Sequence, residues 1–447
     1  MQENEKQISS KDASKNKKAR PRKLLWMPLD NAAKIYPAAR SRSWSNVFRL
    51  SATMCDEVDK DVLSRALAVT VRRFPSISAK LGTGLFWYYL EELKTPPAIM
   101  EESPSPTMRM RGKDMKKCAL RVLVYGRRIA VEFFHSIADG NSGLVFLKTL
   151  LAEYVEQKYC VTVPAESGIL DRREPPKQSE LEDCFLKYRG KVPASRAQKT
   201  AYHLRGTKEL GGFVHLTNFI ASVSDARALA KSFGVSVTSL LTAALMAACL
   251  NIQAEQIRHI KRRRPVKILV PVDLRRLFPS DSLRNFVLYV TPEIDARMGS
   301  YDLCELATLV QHQMHLRVTQ KELAAAVATN VQSEKNPLIK IAPLFLKNVV
   351  MKMVFKAVGE RKSCLTFSNL GAVSLPEEMK PYIERFDFVL SVPATSPSNC
   401  SAISYGDTLC VSFVRSISEP RLEAEFHAVL RKAGLRMRVE SNSGIAP

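Results

Sequence analysis

Residues 131–140 read VEFFHSIADG, and the rest of the chain can be placed around this stretch. Its apolar first half predicts a strand, and His135 stands where that strand leaves its sheet. Asp139 falls in the turn that follows, and Gly140, which has no Cβ, is predicted to permit the tight entry into a helix. A neutral histidine is a natural general base near pH 7 because its unperturbed pKa is about 6.5. A histidine followed by Asp-Gly is also a frequent turn sequence, so these residues alone leave catalysis and a turn both open.

The N-terminal half, residues 24–175, alternates strand and helix patterns. The helix that follows the quoted stretch has one apolar face, and Asn141 or Ser142 is its predicted N-cap. The other predicted elements of this half are a helix at 59–74 and strands at 44–52, 85–90, 120–124 and 128–134. The alternation predicts an α/β fold.

Residues 164–205 are rich in proline and charge, and residues 176–205 are predicted to link this half to a second one, residues 206–447. The second half shows the same alternation, and its most apolar segment predicts a largely buried helix. The predicted helices are at 224–233, 238–250, 302–331 and 419–433. The predicted strands are at 212–223, 266–272, 285–294, 386–392, 400–404 and 408–415.

The net charge of +23 indicates an anionic partner, such as nucleic acid, an anionic membrane or a phosphate-bearing cofactor. Residues 1–23 are polar and basic, and we expect a disordered tail that either tethers the protein to a membrane or nucleic acid or stays solvated. They lack the apolar core of a secretory signal. The nine cysteines include no C-x-x-C pair, which argues against a zinc ribbon, and their odd number argues against a disulfide framework. We therefore predict reduced thiols, a cytoplasmic protein and no bound metal.

Residues 341–358 mix large apolar side chains with several lysines. A transmembrane helix needs about 20 residues with few charges, and this segment does not meet that requirement. Two interpretations remain open. The segment is either an interfacial helix on anionic lipid or a core or interdomain helix whose lysines extend to solvent.

The spacing His135-Ser136-Ile137-Ala138-Asp139-Gly140 after a strand resembles the H-x-x-x-D-G signature of the chloramphenicol acetyltransferase-like superfamily. That superfamily includes condensation domains, plant BAHD acyltransferases, wax ester synthases and alcohol acetyltransferases. The resemblance spans roughly residues 25–435 and looks closest to the alcohol acetyltransferase and condensation-like branch. It continues in PVDLR at 271–275, NF at 285–286, SNLG at 368–371 and YGD at 405–407.

Two departures narrow the resemblance. Phe134 replaces the first histidine of the H-H-x-x-x-D-G form, which argues against ordinary peptide condensation. The D-F-G-W-G stretch of plant BAHD enzymes is missing from the sequence.

The resemblance implies a pseudo-dimer of two similar α/β domains with an active-site tunnel between them. It implies that His135 is the general base and that Asp139 pairs with an arginine, for which Arg275 is the candidate, to hold the loop that ends at Gly140. Ser368, and with less support Asn369, matches the segment that in some relatives hydrogen-bonds the tetrahedral oxyanion.

The predicted function is transfer of an acyl group from a thioester, acyl-CoA or an acyl-pantetheine carrier protein, to a hydroxyl or amine. No permanently bound cofactor is implied, and the acceptor is a small molecule or a lipid. Arg258, Lys261 and Arg262 belong to a basic run that either meets CoA phosphates or is a solvated helix end. The run lacks interleaved aromatic residues, so no specific nucleic acid is predicted. A carrier-protein-dependent condensation or release enzyme, and a non-catalytic binding protein of the same fold, remain alternatives, and peripheral contact with an anionic membrane stays open.

Overall fold

The computed structural model describes residues 25–40, 46–188, 190, 192, 199–335, 341–355, 362–393 and 396–443. The predicted basic tail, residues 1–23, lies outside the described residues, as do residues 356–358 at the end of the lysine-rich apolar segment. Within the described ranges the protein is a mixed α/β fold with three sheets. The predicted α/β class is therefore confirmed.

The N-terminal part of the chain begins with a short strand and ends with a long helix and a short one. Its elements are β1 (Trp26–Pro28), α1 (Ile35–Ala39), β2 (Val47–Met54), α2 (Lys60–Arg73), β3 (Ala79–Thr83), β4 (Tyr88–Glu92), β5 (Ile99–Glu101), α3 (Gly112–Met115), β6 (Leu120–Tyr125), β7 (Arg128–Phe134), α4 (Gly140–Tyr159) and α5 (Cys184–Lys187).

The C-terminal part begins at residue 215 with a strand that lies second from one edge of the largest sheet. Its elements are β8 (His215–Ser222), α6 (Val223–Ser232), α7 (Val237–Gln256), β9 (Val266–Asp273), β10 (Val287–Val290), β11 (Glu293–Ile294), α8 (Leu303–Arg317), α9 (Gln320–Lys335), α10 (Leu344–Val354), β12 (Leu365–Val373), β13 (Ile383–Leu390), β14 (Ser398–Tyr405), β15 (Thr408–Arg415), α11 (Arg421–Lys432) and β16 (Arg438–Ser441).

One five-stranded sheet has the order β13-β2-β7-β6-β5. Only the β5–β6 pair is parallel. The predicted hairpin is present as β6 and β7, with Gly126 in the left-handed region (φ 53°) at its turn. Strand β13 comes from the C-terminal half and pairs with β2 over seven residues, so the two halves share this sheet. The predicted boundaries of the halves stay a prediction.

The largest sheet has eight strands, seven of them in the order β10-β9-β12-β14-β15-β8-β16, with β11 paired to β9. The β9–β12 and β12–β14 pairs are parallel, and the start of β12 pairs with the first half of β9 through Leu365–Ile268 and Thr366–Leu269. Helix α7 packs against β9, α8 and α11. It is apolar and long enough to cross a membrane by composition, but 67% of its apolar window is buried, as in the core helix of a globular fold.

The structure corrects the start of α4. Its N-cap is Asp139, in an extended conformation, and not Asn141 or Ser142. The Asp139 carboxylate accepts the Ser142 N–H at 2.9 Å. Aspartate caps a helix as well as asparagine or serine does, and the helix therefore begins at Gly140.

Two other predictions placed one element where the structure has two. The predicted helix at 302–331 is broken at Val318, whose backbone is not helical (φ −91°, ψ 62°). Helix α9 starts after Thr319, whose Oγ1 accepts the Glu322 N–H. The predicted strand at 285–294 is interrupted at Pro292, which has no N–H for the ladder. The predicted strand at 85–90 begins only at Tyr88, and the predicted linker contains a 3-10 helix, Gln178–Leu181, and α5.

Candidate active site

His135 follows directly on the last residue of β7. Its N–H donates to the Asn46 carbonyl at 2.9 Å, which ties it to the segment that leads into β2. Its ring stacks on Tyr36, with centroids 4.6 Å apart, and meets the edge of Phe48 at 5.2 Å. The imidazole is therefore held between two aromatic rings from distant parts of the chain.

The Nδ1 atom of His135 lies 3.0 Å from the Oδ1 of Asn285. The Nδ2 of Asn285 donates to the Oδ2 of Asp30 at 3.3 Å, and this contact orients the amide so that its oxygen faces the histidine. An amide oxygen only accepts, so Nδ1 is the protonated nitrogen of the neutral ring. This tautomer leaves Nε2 with its lone pair, as a general base requires.

Burial sets the protonation states of His135 and Asp30. Burial lowers the pKa of His135, although hydrogen bonds to its own carbonyl and to Asn285 and the charge of Asp139 act in the opposite direction. The ring is therefore neutral at pH 7. Burial also raises the pKa of Asp30 to about 6, although Arg284 opposes this shift. Asp30 is thus largely ionised at neutral pH and can accept the Asn285 amide.

Asp139 is fully buried and accepts hydrogen bonds on both carboxylate oxygens. Oδ1 accepts the N–H and the hydroxyl of Ser142, each at 2.9 Å, and Oδ2 accepts Nη1 of Arg275 at 2.8 Å and the N–H of Phe286 at 2.9 Å. Burial alone would raise the pKa of Asp139, but Arg275 and the two N–H groups hold it below its usual value. The carboxylate is therefore ionised, and both of its oxygens are hydrogen-bonded to groups of the protein.

Arg275 connects the loop after His135 to the second half. Besides Asp139, its guanidinium binds Asp273 at 3.0 Å, the Ser142 hydroxyl at 3.0 Å, and the carbonyls of Ser282 and Arg284. These contacts join β9, the segment before β10 and the first turn of α4. The predicted partner residues thus lie together at the boundary between the two halves.

The structure gives a different reason for glycine at position 140 from the tight turn that the sequence predicts. It is the first residue of α4 and does not have a positive φ, so its backbone does not demand glycine. A Cβ at this position would lie 2.8 Å from Cδ2 of Leu370. Glycine at this position leaves room for Leu370 of β12, a strand of the second half that lies close to the helix.

A cavity of about 1370 Å³ opens between the two halves. His135, Asn285, Ser368 and Asn369 line it, and most of its remaining surface is apolar. Helix α10 forms part of its wall. The contributing residues of that helix include Leu346, Lys347, Val350 and Met351. The structure shows a cavity, and its description as a tunnel stays a prediction.

Ser368 and Asn369 lie in β12, just before an irregularity in its pairing with β14 between Asn369 and Ala372. Asn369 is engaged at both ends of its amide: Nδ2 donates to the Thr238 hydroxyl at 3.0 Å, and Oδ1 accepts the Gly371 N–H at 2.8 Å. Its side chain therefore shapes the strand. Of the two predicted oxyanion donors, Ser368 is the better placed to turn toward a ligand in the cavity.

The structure does not bring Arg258, Lys261 and Arg262 to this cavity. They are exposed and lie on or beside a 3-10 turn that precedes β9. Asp273, which lines the cavity, is the last residue of β9, whereas the three cations lie near its first residue, Val266. At about 3.3 Å per residue, the two ends of the strand are about 23 Å apart. Any contact between these cations and CoA phosphates would have to occur outside the cavity.

Sequence reasoning missed the partners that orient His135. Asn285 belongs to the resembling segment at 285–286, which gives it no role beside His135, and Asp30 and Tyr36 belong to no motif. They lie far from His135 along the chain, so no local spacing could have found them. Among the residues that the structure describes, no group of three His, Cys, Asp or Glu side chains could hold a metal ion.

No family model matches the chain, and no curated protein matches it by sequence. Solved structures do match. TRI101 of F. graminearum, in complex with coenzyme A and deoxynivalenol, superposes with a TM-score of 0.63 at 9% identity, over 94% of this chain and 100% of that one. TRI3 trichothecene 15-O-acetyltransferase of Fusarium sporotrichioides gives 0.60 at 12% identity, over 92% and 94%. The condensation domain of the monacolin K polyketide synthase MokA gives 0.55 at 11% identity, over 92% and 97%.

The chain has the chloramphenicol acetyltransferase-like fold. The predicted resemblance is thereby confirmed at the level of the fold, and the similar structures include an O-acetyltransferase, TRI101 with bound coenzyme A, an epimerization domain and a condensation domain. Identities of 9–12% in the three structures compared above carry no information about the reaction.

Proposed function

We propose that this protein transfers an acyl group from a thioester, with acyl-CoA as the first choice, to a hydroxyl or amine acceptor. The observation that carries the proposal is the setting of His135. The ring lines the cavity, is neutral at pH 7, and has its Nδ1 engaged by Asn285 so that Nε2 is the basic nitrogen. A base in this state is suited to deprotonating an acceptor in the cavity.

The proposed reaction needs no metal and no covalent enzyme intermediate. The acceptor oxygen or nitrogen attacks the thioester carbonyl while Nε2 of His135 takes its proton. Ser368 donates a hydrogen bond to the oxyanion that forms. The carbon–sulfur bond then breaks, and the imidazolium returns the proton to the departing thiolate.

The other residues act on His135 and not on the substrate. Asn285, held by Asp30, maintains the tautomer, and Asp139 with Arg275 holds the loop between β7 and α4. Gly140 allows β12, and with it Ser368, to approach that loop. Binding of CoA phosphates by Arg258, Lys261 and Arg262 stays a prediction.

The test is release of thiol from acyl-CoA donors of increasing chain length, with and without a panel of alcohols and amines. His135→Ala should lower acceptor-dependent release by about 10²- to 10⁴-fold. His312→Ala is a matched control, because His312 is exposed and does not line the cavity. Full activity of His135→Ala would show that His135 is not the base.

A carrier-protein-dependent condensation or release enzyme is the second candidate, because a solved condensation domain shares the fold. It would need an acyl-pantetheine carrier protein as donor and would release no thiol from free acyl-CoA. Absence of release with either donor, from a folded sample, would favour a binding protein of this fold. The proposal places the protein in the cytoplasm and leaves the acceptor as a small molecule or a lipid.

A further inference from the structure

Helix α10 presents most of its apolar side chains to solvent, whereas its polar residues Lys347 and Asn348 face the protein. Phe345, Val349 and Met353 recur at intervals of four residues and are 73%, 55% and 59% exposed. Lys347, on the inward face, is only 5% exposed. A helix at a protein–water boundary normally has the opposite arrangement, with its apolar face inward.

The inward face is anchored through its polar groups. Nζ of Lys347 donates to the Phe86 carbonyl at 3.0 Å and lies 3.6 Å from the centroid of the Trp87 ring. Nδ2 of Asn348 donates to the Tyr88 hydroxyl at 2.9 Å. These contacts define the rotation of the helix about its axis. The exposure of its apolar face is therefore built into the fold.

The turn between β3 and β4 extends this surface. Its tip residues Leu85 and Phe86 are 72% and 43% exposed, and the Leu85 carbonyl accepts the Leu344 N–H at 2.9 Å. We call the combined surface the outer patch. It consists of Leu85, Phe86, Ile341, Phe345, Leu346, Val349, Val350 and Met353. Monomeric proteins rarely expose a contiguous apolar patch larger than a few hundred Å², and such patches mark interaction sites.

We infer that the outer patch docks on the surface of an anionic phospholipid bilayer. An amphipathic helix with cations beside its apolar face lies in the headgroup region with the apolar side chains inserted. Lys352 is exposed on α10 beside the apolar residues, and the chain carries a net charge of +23. This charge attracts anionic lipid and opposes docking of a second, equally cationic copy of the chain.

The same helix reaches the cavity. Leu346 and Val350 belong to the outer patch, are about half exposed, and also line the cavity. Docking would therefore bring one wall of the cavity to the lipid surface. The docking itself does not depend on the proposed reaction.

The experiment is flotation of the full chain with phosphatidylcholine vesicles, with and without phosphatidylserine. The wild type should float with phosphatidylserine vesicles, and salt should weaken its binding. The double variant Phe345→Ser/Val349→Ser should partition at least about tenfold more weakly, because two side chains no longer enter the apolar layer. Lys352→Glu should weaken binding only to the vesicles with phosphatidylserine.

Met298→Ser is the matched control. Met298 is 74% exposed and follows β11, which pairs with the end of β9 remote from the cavity residue Asp273. It should bind as the wild type does. Phe345 and Val349 do not line the cavity, so thiol release from a soluble donor should be unchanged in the double variant, and equal thermal midpoints would show that it folds.

Three results would overturn the inference. The wild type fails to float with either vesicle. The double variant floats as well as the wild type, which would assign binding to general charge or to the basic N-terminal residues. The wild type forms a dimer in sedimentation that the double variant abolishes, which would show that a second copy covers the outer patch.

Discussion

Replacement of Asp139 by alanine should destabilise the protein far more than removal of an exposed ion pair. The Asp139 carboxylate is fully buried and accepts four hydrogen bonds, from Arg275, from the Phe286 N–H and from the N–H and hydroxyl of Ser142. Alanine leaves the two N–H groups without an acceptor, and an unsatisfied buried donor costs about 1–3 kcal/mol. Arg275 keeps Asp273 and two carbonyls, so its charge is not orphaned.

We expect a loss of about 2–6 kcal/mol in the free energy of unfolding, from two unsatisfied buried N–H groups at about 1–3 kcal/mol each. Urea unfolding of Asp139→Ala, Arg275→Ala and the double variant gives the coupling between the two side chains. The double variant should lose less than the sum of the single variants, because each single change leaves the other partner buried.

Asp295→Ala is the control, because Asp295 is half-buried and pairs at 2.6 Å with the exposed Arg297, and ion pairs at the surface contribute little. A loss of unfolding free energy in Asp139→Ala no larger than that in Asp295→Ala would contradict this expectation. Absence of coupling between Asp139 and Arg275 would also contradict it, since the halves would then be joined by other contacts.

Three further predictions concern the surroundings of His135. Burial lowers the pKa of His135, so kcat/KM should rise with pH with a midpoint below 6.5 and should be constant near pH 7. A midpoint above pH 7 in the measured profile would contradict this expectation. Asn285→Ala should lower kcat by about tenfold with little change in KM. It should also move the midpoint to lower pH, because the hydrogen bond from His135 to Asn285 stabilises the protonated ring in the wild type. An unchanged midpoint would show that Asn285 does not orient the base. Gly140→Ala should change the free energy of unfolding in urea by no more than about 1 kcal/mol. Its Cβ would lie 2.8 Å from Cδ2 of Leu370, the end of a side chain that can shift into the cavity, and alanine favours the helix over glycine by about 1 kcal/mol. A loss well above that value would show that Leu370 is held in place.

Much of the local structure could be predicted because periodicity reports the backbone in which each residue sits. The strand before His135, the hairpin of β6 and β7, and the apolar helix α7 all follow from spacing along the chain. The errors occurred where one side chain decides a local break. Val318 and Thr319 divide a long helical pattern, and Pro292 interrupts a strand.

The candidate site divides in the same way. The motif itself pointed to His135 and Asp139, and the resemblance pointed to Arg275 and Ser368, all of which the structure brings to one boundary between the halves. The contact of His135 with Asn285, and of Asn285 with Asp30, joins residues 150 and 255 positions apart. Such a contact exists only when the two halves pack together, so no local spacing along the chain predicts it.

The sequence by itself determined the α/β alternation, the basic character of the protein and the residues from which a general base could be chosen. Only the tertiary structure decided which nitrogen of His135 is free, why Gly140 is small, and which face of α10 meets solvent. The physical reason is that local spacing sets backbone conformation, whereas tautomer, close approach and helix rotation depend on atoms that distant segments supply.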